Sequence, residues 1–130
     1  MRITQEADYA LRILLFLSGE KEIVSARAIS ESVNVPPRFT LKILSKLVSN
    51  DLARSYKGAN GGYVLSRSAE SISLLEVIEA IDGKVAINRC LEHVDCPNSE
   101  ARGLCRIRSE LGRINGILTD ELSASRLSEL

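Results

Sequence analysis

Apolar side chains at the start of the chain recur three and four residues apart. Ala7, Ala10, Leu11, Leu14 and Leu17 line one face of a helix spanning residues 5–18. Thr4 is placed to cap that helix and Gly19 to end it. A second helix starts from Ser25, a good N-cap, and runs to about residue 33 with Ala26, Ile29 and Val33 on one face. After a break at Asn34 and Val35, Pro36 and Pro37 open a third helix that runs to about residue 50. Proline is tolerated there because the N–H groups of a first turn have no helical partner. This helix buries Phe39 or Thr40 together with Ile43, Leu44, Leu47 and Val48, and it exposes Arg38, Lys42, Ser45, Lys46 and Ser49.

Beyond Asp51 the period changes. Residues 52–56 and 62–65 read as two strands around the turn formers Lys57, Gly58, Ala59, Asn60 and Gly61. A helical pair is thus followed directly by a hairpin with a basic tip. A fourth helix opens on Ser73-Leu74-Leu75-Glu76, the pattern of a capping box, carries Leu74, Val77, Ile78 and Ile81 on one face, and ends at Gly83. Periodicity is lost over residues 88–103, which read as a loop. It returns in a last helix over about 105–124, where Leu104, Ile107, Leu111, Ile114, Leu118 and Leu122 make a narrow seam like that of a coiled coil. The expected fold is mainly α with a small β-hairpin: a winged helix-turn-helix over 1–67, a connecting helix over 68–87, a cysteine-bearing loop over 88–104, and a dimerisation helix and tail over 105–130.

Composition refines this picture. A chain of 130 residues that is 45% hydrophobic can bury a core without staples. No apolar run reaches the roughly 20 residues of a membrane span, and the N-terminus lacks the pattern of a signal peptide, so the expectation is a soluble cytoplasmic protein. The formal net charge is zero, but it is unevenly spread. Residues 1–67 hold ten Lys and Arg against six Asp and Glu, and the remainder holds seven against eleven. A basic front half suits a phosphate backbone even when the whole chain is neutral.

The candidate chemistry follows from that layout. A recognition helix presents polar and basic side chains to the major groove from its N-terminal end, with its other face buried. Arg38, Thr40 and Lys42 have the positions for that role. Arg54, Lys57 and Asn60 place a wing against phosphate or the minor groove. The alternative is an ordinary helical core with a solvated basic face. Cys90, Cys96 and Cys105 all fall in one short segment with spacing C-x5-C-x8-C. Thiolates are soft ligands for zinc, copper(I) or iron–sulfur clusters, and the tight pairs of structural zinc sites are missing. Free thiols or a reversible disulfide remain open. His93 is a further possible ligand, although a lone loop histidine is more often solvated. Asp8 complements the dipole of the first helix and stands four residues before Arg12, a stabilising helical pair. No nucleophile stands beside a base and there is no phosphate loop, so an enzyme is not expected.

The segments MRITQEADYALRILLFLS, VPPRFTLKILSKL, KGANGGYVLSR and SLLEVIEAIDG resemble the Rrf-two family of bacterial winged-helix regulators (IscR-, NsrR- and CymR-like) over nearly the whole chain. The resemblance implies a homodimeric repressor that binds a double-stranded DNA operator, with the long C-terminal helix crossing its partner through Ile107, Leu111, Ile114 and Leu118. It also implies an iron–sulfur cluster, 4Fe-4S or 2Fe-2S, sensing redox, iron or nitric oxide. Cys90, Cys96 and Cys105 stand where many members carry cluster ligands. The first gap matches theirs and the second is longer. Some members take a fourth ligand from a first-helix carboxylate of the other protomer, and Asp8 falls at that position, with His93 in reserve. Others use a histidine after the third cysteine, and this chain has none there. The alternatives are a cluster-free regulator switched by thiol oxidation or a partner protein, and a metal-binding interaction module without a DNA role.

Overall fold

A computed structural model of the chain describes residues 2–92 and 105–130. Six α-helices and one antiparallel hairpin occur among those residues: α1 (Gln5–Ser18), α2 (Ala26–Val33), α3 (Pro37–Ser49), β1 (Ala53–Tyr56), β2 (Gly62–Leu65), α4 (Leu74–Asp82), α5 (Arg89–Glu92) and α6 (Arg106–Ala124). The mainly helical architecture with a two-stranded wing is the one expected. The segment expected to be a loop carries a short helix, α5, at its start. His93 and Cys96 lie outside the described residues.

Helix α1 is the hub. It packs against α2, α3, α4 and β2. Ala7 and Ala10 are fully buried, and their small side chains let neighbouring elements approach the α1 backbone closely. Ile13, Leu14 and Leu17 complete its buried face. Ile13 lies outside the predicted stripe because α1 is covered from more than one side, which widens the buried arc. The Thr4 hydroxyl accepts the Ala7 N–H at 3.2 Å, so the expected cap is in place.

The turn between α2 and α3 is built from Asn34 in the left-handed conformation (φ 55°, ψ 47°) and two buried hydroxyls. Ser30 Oγ donates to the Val35 carbonyl at 2.6 Å. Thr40 Oγ1 lies 3.3 Å from that carbonyl and 3.2 Å from the carbonyl of Pro36. The buried side of α3 is made by Thr40, Ile43, Leu44 and Leu47.

In the wing, Ala53 pairs with Leu65 and Tyr56 with Gly62. Val24, just before α2, extends the pairing. Its N–H donates to the Tyr63 carbonyl at 3.0 Å, and the Tyr63 N–H donates to the Val24 carbonyl at 2.8 Å. That close approach explains Gly62: a Cβ there would stand 2.3 Å from the Val24 oxygen. Downstream, Ser73 and Glu76 form the expected capping box, and Gly83 (φ 84°) ends α4.

The chain end returns to the core. The Leu74 N–H donates to Ser125 O at 3.0 Å and the Leu127 N–H to Ile72 O at 2.9 Å, and Leu127 is buried. In contrast, none of the 19 residues of α6 is fully buried. Ile107, Ile114 and Ile117 are 70%, 41% and 51% exposed. No helix among the described residues is long and apolar enough to cross a membrane.

Gly62→Ala forces a Cβ into the Val24 carbonyl, so it should lower stability by about 1–3 kcal/mol and loosen the wing. Thermal unfolding checks the first effect, and amide exchange of Val24 and Tyr63 checks the second. Unchanged stability and protection would contradict this role for the glycine.

Candidate nucleic-acid interface

The solvent face of α3 carries Arg38, Leu41, Lys42, Ser45 and Ser49, and the helix contains no acidic residue. Arg38 extends from the first turn, its guanidinium carbon 5.5 Å from the centre of the Phe39 ring. Thr40, expected on this face from the sequence, does not belong to it. Its relative exposure is 0%, and its hydroxyl is spent on the α2–α3 turn, so it cannot meet a groove. One position of helix rotation separates it from Leu41, which is 52% exposed and was missed.

Lys42 is on the outer face but is already engaged. Its Nζ lies 2.6 Å from Glu6 Oε1, while Lys46 Nζ lies 2.9 Å from Glu6 Oε2. A single carboxylate from the first turn of α1 therefore holds two lysines one turn apart on α3. Hydrogen bonds from Lys42 and then Lys46 hold the Glu6 carboxyl below the ordinary carboxylate range. The sequence gives no sign of this triad, whose members lie 36 and 40 residues apart.

Arg54, Lys57 and Asn60 are exposed on the wing. A shallow cleft lined by Ser45, Val48, Ser49, Ser55 and Tyr63 joins α3 to the hairpin, so helix face and wing form one surface. At its other end, Arg67 bridges from the wing to α4 through Glu76 and the Ser71 carbonyl. Burial opposes ionisation of Glu76, but the Ser73 N–H and the Arg67 guanidinium outweigh it, and the carboxyl is held low.

The cysteines stand at a different place, the junction of α5 and α6. Cys90 lies in α5 and Cys105 is the N-cap of α6; both are half-buried and outside any disulfide. Arg108 ties them together. Its backbone N–H donates to Cys105 Sγ at 3.4 Å, and its Nε donates to the Cys90 carbonyl at 3.2 Å. Asn115, which sequence reading also missed, clamps the segment leading into α5. Its amide donates to Val85 O at 3.2 Å and accepts from the Ile87 N–H at 2.9 Å.

Asp8 is paired with Arg12 (Nε–Oδ2 2.8 Å) and half exposed. The hydrogen bond to Asp8 raises the Arg12 pKa. No group of three His, Cys, Asp or Glu side chains able to hold a metal occurs among the described residues. The donor chemistry suits an iron–sulfur cluster, whose usual ligands are thiolates: Arg108 hydrogen-bonds the Cys90 carbonyl and the Cys105 sulfur, and Cys96 lies between them in the sequence. Along α6, Ile107 and Ile114 are exposed, whereas Leu111 and Leu118 are half-buried.

Comparison with known proteins gives a consistent picture. The Rrf2 family, described as an iron-dependent transcriptional regulator, matches residues 3–130. A putative HTH-type transcriptional regulator of Mycobacterium tuberculosis is 34% identical over 101 residues, covering 76% of this chain and 63% of that protein. The match thus spans less than two thirds of that relative's length. The HTH-type transcriptional regulator IscR of Klebsiella pneumoniae (strain 342) is 33% identical over 129 residues, covering 94% of this chain and 79% of its own. Among solved structures, a putative transcriptional regulator from Listeria innocua superposes with TM-score 0.79 at 25% identity, over 98% of this chain and 84% of that one. CymR of B. subtilis, described as the global cysteine regulator, also reaches 0.79 at 22% identity, over 98% and 94%, and it supports the fold alone.

Glu6 and Glu76, two of the carboxyls held low, set a pH dependence. A carboxyl with a lower pKa in the folded chain adds stability above its unfolded pKa, roughly 4.3, and loses that contribution as pH falls through the folded value. Thermal stability should therefore drop more steeply between about pH 5 and pH 3 in the wild type than in Glu6→Gln or Glu76→Gln. Parallel curves for all three proteins would contradict the assignment.

Proposed function

The chain belongs to the Rrf2 family of transcription regulators, a family of regulators and not of enzymes, and on that footing we propose that it is a cytoplasmic, homodimeric DNA-binding repressor whose operator affinity is set by an iron–sulfur cluster. The observation that carries the DNA reading is the outer face of α3, a helix with no acidic residue of its own, continuous with a basic wing. Arg38 would enter the major groove from the first turn of α3, and Lys42 would follow only where Glu6 releases it. Arg54, Lys57 and Asn60 would meet the backbone or the adjacent minor groove. Thr40 takes no part.

The partner proposed for α6 is a second copy of this chain. A 19-residue helix with nothing fully buried and with Ile107, Ile114 and Ile117 in solvent leaves an apolar seam that its own protomer does not cover. Leu111 and Leu118 would close the edge of that seam. A two-fold dimer would also supply two recognition helices for the two halves of a symmetric site.

The proposed cluster ligands are Cys90, Cys96 and Cys105, with Asp8 of the partner protomer as the fourth and His93 in reserve. A bound cluster, with either two or four irons, supplies iron that reacts with oxidants or nitric oxide. The residues of the chain would position it. Arg108 holds Cys90 and Cys105 at one junction, and Asn115 fixes the approach to α5. Asp8 could serve as a ligand through Oδ1 while Arg12 keeps its hydrogen bond to Oδ2. The family's description as iron-dependent supports this reading. Thiol oxidation without a cluster is the second reading, favoured by the free and partly accessible state of Cys90 and Cys105.

Two experiments test these roles. On a random-sequence duplex, Lys57→Ala should weaken binding and flatten the slope of log K against log salt by about 0.9, the loss of one phosphate contact. Arg38→Ala should also change the sequences selected from a randomised pool. Wild-type affinity and selection in both variants would remove the docking model. For the cluster, anaerobic reconstitution should load iron and sulfide onto the wild type with visible charge-transfer bands. Each of the Cys90, Cys96 and Cys105 to Ser variants should lose most of that load without losing helical content. A wild type that takes up neither element leaves the thiol reading in its place.

A further inference from the structure

The Glu6 triad has a role beyond tying two helices together. The positive side chains of α3 are Arg38, Lys42 and Lys46, and the helix has no acid to offset them. The one carboxylate set between the two lysines comes from α1, with an oxygen 2.6 Å from Lys42 and the other 2.9 Å from Lys46. The three side chains are far from fully buried: Lys42 is 54% exposed, Lys46 36% and Glu6 29%. A carboxylate bridging two ammonium groups one helical turn apart makes the charge-assisted contacts that phosphate oxygens make with lysines. It is covalently part of the protein and always present.

We propose that Glu6 is an internal phosphate mimic that withholds Lys42 and Lys46 from non-specific DNA and so raises the share of binding that depends on base contacts. This rests on the reading of α3 as the DNA-facing helix. Non-specific affinity is almost wholly electrostatic: each phosphate neutralised by a lysine releases counterions and adds about 0.9 to the salt slope. Direct base readout by Arg38 is not touched by Glu6. A negative charge that occupies two lysines therefore removes affinity for all duplexes alike and leaves discrimination between sequences in place. Purely structural ion pairs at this exposure contribute little stability, so stability alone gives weak grounds for drawing two lysines of the recognition helix onto one carboxylate.

The triad also lies in the same turn of α1 as Asp8. Thr4, which caps that turn, is held by Asp82 at the end of α4 through a backbone N–H donated at 3.1 Å.

The test measures binding of the full chain to a random-sequence duplex by fluorescence anisotropy across a salt series. Glu6→Gln should tighten binding by roughly five- to tenfold near 0.1 M salt and steepen the slope by about 0.9 per lysine released to phosphate. Lys42→Ala should leave the wild-type slope unchanged, because the lysine is withheld, but should reverse the gain in the Glu6→Gln background. Unchanged or weaker binding by folded Glu6→Gln, beside a wild type that binds, overturns the role of Glu6 alone. A loss of slope in Lys42→Ala with Glu6 intact overturns it as well, since the lysine would then already be on phosphate. That second variant keeps the proposal testable should Glu6→Gln fold poorly. No binding by either protein at low salt overturns the DNA reading and this inference with it.

Discussion

Close packing around α1 is the constraint from which the other placements follow. Two fully buried alanines, Ala7 and Ala10, bring neighbouring elements up to its backbone, and Ile13, Leu14 and Leu17 fix them there. Each fully buried Leu or Ile is worth about 1.5–3 kcal/mol, so this one helix anchors α3, the hairpin strand β2 and α4 together. Substituting a larger residue for either alanine would displace several elements at once. The polar side of α1 is as constrained as its apolar side. Within two residues of one another, Glu6 engages α3 and Asp8 engages Arg12, while Thr4 just before them engages Asp82.

Helix α6 follows a different logic. Its two ends are fastened: Cys105 caps the start, and the residues after Ala124 return to the core through Ile72, Leu74 and Leu127. Its middle holds the approach to α5 through Asn115 and leaves isoleucines in solvent. A helix fixed at both ends with an uncovered apolar seam is stable in outline but incomplete as a surface. The proposed second copy would complete it.

Much of the architecture was legible in the sequence because local rules act there. Helical spacing located α1 to α4 and α6. Ser73 and Glu76 announced a capping box that is present, and the glycine-rich turn located the wing. Where reading failed, a tertiary partner was responsible. Periodicity left Phe39 and Thr40 undecided, and the carbonyls of Val35 and Pro36 decided the matter by capturing the Thr40 hydroxyl. Burial of Thr40 then turned Leu41 outward. Ile13 was missed because the stripe rule assumes one covered face. Glu6 looked like an ordinary first-turn acid, and only the fold brings it to lysines 36 and 40 residues away. Asn115 is a polar residue beside an apolar seam. That was a usable signal, but its partners are backbone groups 28 and 30 residues distant. The candidate role of the cysteines rests on their spacing and the family resemblance; the fold adds that Arg108 contacts both Cys90 and Cys105.

The central claim is that two chains joined through α6 present two α3–wing surfaces to one duplex. Sedimentation of the chain with a symmetric duplex selected from a randomised pool tests it most directly, with amide exchange recorded on the same complex. The account predicts two chains per duplex, new protection on α3 and the wing, and protection on α6 that is already present without DNA at concentrations where the protein is dimeric. A single chain per duplex, or protection confined to α4 and α6 with α3 unchanged, would contradict it.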